Sequence, residues 1–377
     1  MASYFGRNIK VSIFGQSHSP AIGVTIDGLP AGTKIDLQAL EAFMGRRAPG
    51  RSKLATRRRE SDSLEIISGL SPTACADGDD RYVHTCGAPL CIIIRNLDAR
   101  SDHYEELKRI PRPSHSDFTA FSKYGKWHDV NGGGHFSGRL TAPLCAAGGI
   151  ALQLLGKIGI KAAAYLSSVG FVKGRGTDPL NPDMEALAAL SAAPFPALAG
   201  AEAEAMAAEI ENAAKDGDSV GGIIEFIATG LPVGIGEMMF AGLENHISSA
   251  VFAVPGVKGI EFGSGFAGSS ARGSVNNDPF YLDGDTIKTS SNNHGGILGG
   301  ISSGMPLVFR AAMKPTPSIA IEQNSVDMST MQVACIAVKG RHDPCIALRA
   351  VPCIEAAAAL AIYDLYLENL KHTHENT

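Results

Sequence analysis

Two stretches of this chain, roughly 200 residues apart, carry the same local pattern. Residues 22–32 run through an apolar, β-branched segment into Gly28-Leu29-Pro30-Ala31-Gly32, and residues 222–234 do the same into Gly230-Leu231-Pro232-Val233-Gly234. In each copy the apolar run favours a strand and the glycine-proline turn ends it, with a helix expected after a short gap. The spacing is far longer than that of a solenoid repeat. The pattern constrains the chain to two related halves, about residues 7–170 and 218–370, built into one α/β domain spanning 1–377.

Other elements follow from local signals. Ile9, Val11 and Ile13 alternate with polar residues and predict a strand over 8–14. Asp36 can cap a helix that carries Leu37, Leu40, Phe43 and Met44 on one face. Further strands are expected at 64–68, 90–95 and 333–338, and a small-residue helix at 143–155. Additional helices are expected at 184–190, 201–214, 243–254 and 351–370, with the Pro- and Ala-rich stretch 177–199 the least constrained. A net charge of −5 argues against a general nucleic-acid binder. No segment reads as a membrane span of about 20 apolar residues, and the start lacks the apolar run of a signal peptide. Seven scattered cysteines without C-x-x-C spacing point to reduced thiols in a cytoplasm.

The residues suited to chemistry lie in short clusters. Arg46, Arg47, Arg51, Lys53, Arg57, Arg58 and Arg59 form the densest cationic run. It can bind a small polyanion through paired guanidinium donors, or be a solvated loop neutralised by Glu60 and Asp62. His18 and His115, each among small residues, can move protons near neutral pH or be ordinary turn histidines. Gly132-Gly133-Gly134 leads into His135-Phe136-Ser137-Gly138-Arg139 without the Gly-Lys-Ser/Thr ending of a phosphate-binding Walker loop. His294-Gly295-Gly296 and Lys314-Pro315-Thr316-Pro317-Ser318 can wrap a cofactor or be plain turns. Arg341-His342-Asp343 adds a cation and a carboxylate.

In this order the clusters resemble the chorismate synthase family from about Gly6 to Leu370. The matching segments are GQSHS at 15–19, IDGLPAG at 26–32, RRAPGRSKLATRRRESD at 46–62 and RPSHSDFT at 112–119. They continue with KYG at 123–125, GGGHFSGRLTAP at 132–143, HGGILGGISSG at 294–304, KPTPSI at 314–319 and GRHDPC at 340–345. The resemblance implies a single-domain α/β sandwich of helices and antiparallel sheets with an internal pseudo-repeat. It implies a 1,4-elimination of phosphate from 5-enolpyruvylshikimate 3-phosphate, giving chorismate, with reduced FMN and no metal. It also implies roles: His18, His115 and Asp343 catalytic; Arg47, Lys53, Arg112, Ser137, Arg139 and Arg341 on the substrate. For the flavin it implies His135, Phe136, Ser137, Gly256, Gly299, Lys314, Pro315, Thr316, Pro317, Ser318 and Arg341. A homotetramer is implied as well.

The chain departs from the family pattern where Gln16 and Ser19 stand for Glu and Gly, Lys53 for Arg, and HFSGRLT at 135–141 for the common RSSARET. Two other classes are weighed against the enzyme: a non-catalytic flavin- or anion-binding relative, and a metal hydrolase using His18, His115 and His135. No stretch is left over for a nicotinamide-dependent flavin reductase, so reduced FMN is expected from an outside source.

Overall fold

A computed structural model describes residues 3–55, 62–72, 81–97, 106–338 and 342–372. Among these, the first part of the chain forms a five-stranded antiparallel sheet, in the order Tyr4–Phe5, Lys10–Gly15, Ala21–Asp27, Leu90–Arg95, Glu65–Ser68. A second five-stranded antiparallel sheet follows the order Val257–Phe262, Leu307–Met313, Gly222–Thr229, Lys161–Val169, Val172–Lys173. Side chains alternate across a strand. Thus Val11, Ile22, Val24, Ile26, Leu90, Ile92 and Ile94 are buried on the first sheet's inner face, while Lys10, Ser12 and Phe14 face outward. The strand Lys161–Val169 comes from the first of the two expected halves yet hydrogen-bonds within the second sheet.

Between the sheets lie two helices. Thr141–Lys157 packs on the first sheet and Ala347–His372 on the second, and the two lie against each other. Their approach explains the run of small residues. A Cβ on Gly148 would fall 2.3 Å from that of Ala356, and one on Gly149 would fall 2.7 Å from a Leu40 methyl. The helix Leu37–Arg47 completes the layer, started by Asp36, whose carboxylate accepts from the Ala39 amide at 2.9 Å.

Three expectations are corrected here. Gly138–Lys157 and Ala347–Lys371 are in fact long and apolar enough to cross a membrane, but 72% and 89% of their most apolar windows are buried inside the protein, as in core helices. The closing helix starts at Ala347 and contains Pro352. Burial of Leu348, Val351 and Ile354 outweighs the one backbone hydrogen bond that proline cannot make. The stretch expected to be least constrained supplies Met184, Leu187, Leu190 and Leu198, which pack on Tyr165, Ile227 and Val308 and cover the second sheet's other face.

Asp364, on the closing helix, ties down the start of the chain. Its carboxylate accepts the amides of Arg7 at 3.0 Å, Asn8 at 2.7 Å and Ile9 at 2.9 Å, and contacts His246 Nε2 at 2.9 Å.

Candidate active site

A cavity of about 550 Å3 gathers residues distant in sequence, from Arg47 to Cys353. Small-molecule sites run from roughly 300 to 1,000 Å3, so it is of a size to hold one. Arg47, Arg112, His115, His135, Phe136, Ser137, Arg139, Gly256, Lys314, Thr316, Pro317 and Asp343 line it, all of them expected site residues.

The described members of the basic run do not form one patch. Arg46 turns to the closing helix and pairs with Glu355 through two hydrogen bonds of 2.9 and 2.8 Å. Arg47 turns into the cavity, donates to Thr141 Oγ1 at 3.1 Å and pairs with Asp62. Arg139 pairs with the other oxygen of the same carboxylate and donates to Asn96 at 2.9 Å. Asp62 is therefore a buried bridge between two cavity cations rather than the neutraliser of a solvated loop. Lys53 is exposed and away from the cavity. Arg57, Arg58, Arg59, Glu60 and Arg341 lie outside the described residues.

The second cluster centres on Asp117, a residue that sequence reasoning left without a role. Its carboxylate takes Arg112 Nε at 2.7 Å and Nη2 at 2.8 Å, and His115 Nδ1 at 2.6 Å. Burial alone would raise the Asp117 pKa, but the hydrogen bonds from Arg112 and His115 hold it far below the usual carboxylate range. Asp117 is thus an anion; His115 Nδ1 lies 2.6 Å from its Oδ1 and 3.1 Å from Arg112 Nη2, and donation of Nδ1–H to the nearer carboxylate leaves Nε2 as the acceptor nitrogen. Burial is the largest influence on His115 and lowers its pKa, against the raising effect of the Asp117 hydrogen bond.

The glycine loop separates the two imidazoles. Gly132, Gly133 and Gly134 have φ of 60°, 83° and 55°, a run that side chains would strain. A Cβ on Gly132 would lie 2.9 Å from His18 Nε2, and one on Gly133 would lie 3.4 Å from His115 Cε1. His115 lines the cavity, whereas His18 sits behind the loop. The loop's continuation brings His135 and Phe136 together at 4.3 Å, beside Tyr124 and His128.

The 314–318 segment joins the parts. Lys314 donates to the Ser114 carbonyl and its amide donates to the Gly256 carbonyl at 2.9 Å. Ser318 Oγ accepts from Arg112 at 3.1 Å, and Thr316 donates to the Asp343 carbonyl at 2.6 Å. Asp343 is paired at 2.7 Å with Arg349, which also donates to the Arg47 carbonyl at 3.1 Å. Arg349 was not expected from the sequence; its one signal is a position six residues after Asp343 in the first turn of the closing helix. Pro315 and Ser318 flank the cavity without lining it. Gly299 lies elsewhere, exposed at the turn between Ile297–Leu298 and Ile301–Ser302. Among the described residues no group of three or more His, Cys, Asp or Glu is placed to hold a metal ion.

An α/β layered fold with a cation-lined cavity of small-molecule size and an imidazole beside a carboxylate is the arrangement of an enzyme with a small-molecule substrate. The chorismate synthase family profile matches residues 9–367. Curated chorismate synthases are similar over nearly the whole chain: 43% identity with that of Dehalococcoides mccartyi, covering 97% of each sequence. That of Lancefieldella parvula is 45% identical, over 97% of this chain and 96% of its own, and that of Thermococcus kodakarensis 43%, over 95% and 96%. A crystal structure of chorismate synthase superposes with a TM-score of 0.73 at 23% identity, over 97% of this chain and 93% of that one, which shows the same fold. The chain belongs to the chorismate synthase family and is a carbon–oxygen lyase.

Proposed function

We propose that the chain removes phosphate from 5-enolpyruvylshikimate 3-phosphate by a 1,4-anti-elimination that yields chorismate, the last common step toward the aromatic amino acids. The observation that carries this reading is the gathering of Arg47, Arg112, Arg139, Lys314 and Arg349 with His115 around one cavity. The proposed substrate bears a phosphate and two carboxylates, and guanidinium groups suit both. Each guanidinium has five donors. Arg112 uses three side-chain N–H groups on Asp117 and Ser318, so it can meet an incoming anion without leaving its carboxylate.

His115 is the acid that assists phosphate departure. Without a bound anion, burial keeps its imidazole neutral. A phosphate beside it favours the imidazolium, which Asp117 then stabilises through Nδ1. Asp343, oriented by Arg349, helps the ring proton leave. His18 acts from behind Gly132, whose missing side chain lets the imidazole approach the loop closely.

The residues present suit reduced FMN. The rings of His135 and Phe136, tilted by 31° to each other, offer aromatic surface in the cavity wall, and Lys314 with the 256 turn offers a cation and backbone groups. When bound, reduced FMN would supply electron density transiently as phosphate departs. His135, Phe136, Ser137, Gly256, Lys314, Pro315, Thr316, Pro317, Ser318 and Arg341 are the residues we assign to it; Gly299, which stands apart from the cavity, is not among them. Arg47, Arg112, Ser137, Arg139 and Arg341 are assigned to the substrate; Lys53, exposed and away from the cavity, is not.

We further read the chain as one domain of two related halves, cytoplasmic, and assembled as a homotetramer. Exposed Phe240, Phe266, Leu282 and Ile287 support association with further copies. Reduced FMN is supplied from outside the chain. Anaerobic incubation with reduced FMN and substrate should release inorganic phosphate, and no release overturns the reading. His115→Ala should lower the rate by about 10²- to 10⁴-fold; a non-catalytic binding relative would lose nothing by it. Sustained turnover in air with only NADPH and oxidised FMN would contradict the external supply.

A further inference from the structure

Cys145 and Cys353 are 208 residues apart in sequence, and their sulfurs lie 3.8 Å apart in the core, Cys145 donating to Cys353. They face each other from the two central helices. One turn further along, Gly148 meets Ala356 in backbone contact, so the helices are held tightly together at this level. A disulfide needs sulfurs at about 2.05 Å. Closing the remaining gap of roughly 1.8 Å asks for side-chain rotation and a small slide rather than unfolding.

The pair is sealed on one side only. Cys353 forms part of the cavity wall, whereas Cys145 does not reach it. At Cys353 the hydrogen bond from Cys145 is the largest influence and lowers the pKa, burial opposes it, and the charge of Arg47 lowers it further; at Cys145 burial raises the pKa. A cysteine in the cavity wall beside a fully buried partner thiol is the arrangement of an attacking and a resolving cysteine.

We propose that Cys145 and Cys353 form a peroxide-responsive disulfide that shuts the cavity. The Cys353 sulfur attacks one oxygen of hydrogen peroxide; an S–O bond forms, the O–O bond breaks and hydroxide leaves. The Cys145 sulfur then attacks the Cys353 sulfur, the S–O bond breaks, and the departing hydroxide takes the Cys145 proton as water. Two thiols lose two electrons and two protons in all, and one peroxide becomes two waters. The consequence for the site follows from position. Thr141, one turn before Cys145, holds Arg47 at 3.1 Å, and Arg349, one turn before Cys353, holds Asp343 at 2.7 Å. Drawing the sulfurs together displaces both helix starts and with them both cations.

The test uses the whole reduced protein, treated with hydrogen peroxide and digested without reductant. The expected product is a peptide pair joining Cys145 to Cys353, lighter by two hydrogens. Phosphate release, which rests on the proposed elimination, should fall on the order of 10²-fold, the scale of an about 1 Å misplacement of catalytic groups, and return with dithiothreitol. The flavin is photoreduced, so that no chemical reductant reopens the bond. Cys145→Ala should keep its starting rate and resist peroxide. Absence of the linked peptide in the wild-type chain overturns the proposal whatever the variant does, and a linked protein with unchanged activity overturns the closure. If the reduced protein releases no phosphate, the elimination reading has failed instead. Closure is then read from binding of inorganic pyrophosphate, which the linked protein should lose; retained binding overturns it.

Discussion

Arg47 and Arg139 hold the two oxygens of one buried carboxylate, Asp62. They come from segments about 90 residues apart, and the carboxylate fixes their spacing before any ligand arrives. Removing one member of a buried ion pair leaves the others uncompensated, at a cost of about 3–5 kcal/mol. Asp62→Asn should lower the unfolding midpoint accordingly. A phosphate-bearing ligand should then stabilise the variant more than the wild type, because it replaces the lost negative charge. Equal ligand-induced shifts in urea melts would show that the two guanidinium groups do not share the ligand.

The His115–Asp117 pair makes binding and stability depend on pH with a definite sign. The folded pKa of His115 lies below the ordinary value of 6.5, so the unfolded chain binds the extra proton and stability falls as pH drops below that value. Asp117, also depressed, contributes stability that is present above about 3.9 and lost as pH falls through its folded value. An anion in the cavity raises the His115 pKa. Binding near neutral pH should therefore take up a proton, seen as a calorimetric enthalpy that varies with buffer ionisation. His115→Gln should abolish that dependence; a buffer-independent enthalpy in the wild type would remove the acid role.

Two glycines of one helix should behave oppositely. Gly148→Val places side-chain atoms where Ala356 already stands, so it should cost about 3 kcal/mol or more, or prevent folding. Gly156→Ala meets nothing within 4 Å and should be neutral or stabilising by about 0.4–1 kcal/mol. Matched thermal melts compare them directly, and similar losses for both would deny the close helix contact.

Asp364 satisfies three backbone amides and His246 at once. Burial would raise its pKa, but the hydrogen bonds from His246 and the amides lower it instead. Its contribution is present at neutral pH and is lost on acidification. Asp364→Ala should cost on the order of 3 kcal/mol, and amide exchange at residues 7–9 should quicken well beyond that in the rest of the first sheet. Unchanged exchange there would mean that the chain start is held by other contacts.

Legibility in the sequence followed the range of the interactions. The Asp36 cap and the strand Leu90–Arg95 depend on near neighbours and were readable from local pattern. So was the glycine loop, where three consecutive residues without side chains announce an unusual backbone. The strand Lys161–Val169 is rich in alanine and serine and lacks a strong alternation, so only its pairing with Gly222–Thr229 reveals it. The partners of the cations were invisible for the same reason. Nothing near Arg46 points to Glu355, and nothing near Cys145 points to Cys353, because docking of the closing helix brings both pairs together. Gly299 illustrates the reverse case: a motif legible in sequence whose residue stands apart from the cavity.

Because the cavity wall draws on both Arg47 and Cys353, it comes into being only when the last helix docks. An N-terminal fragment, however well its own sheet forms, has no binding site to offer. Ligand affinity in this chain is thus a report on completed folding, and any small anion that binds there acts as a thermodynamic clasp on the C-terminal helix.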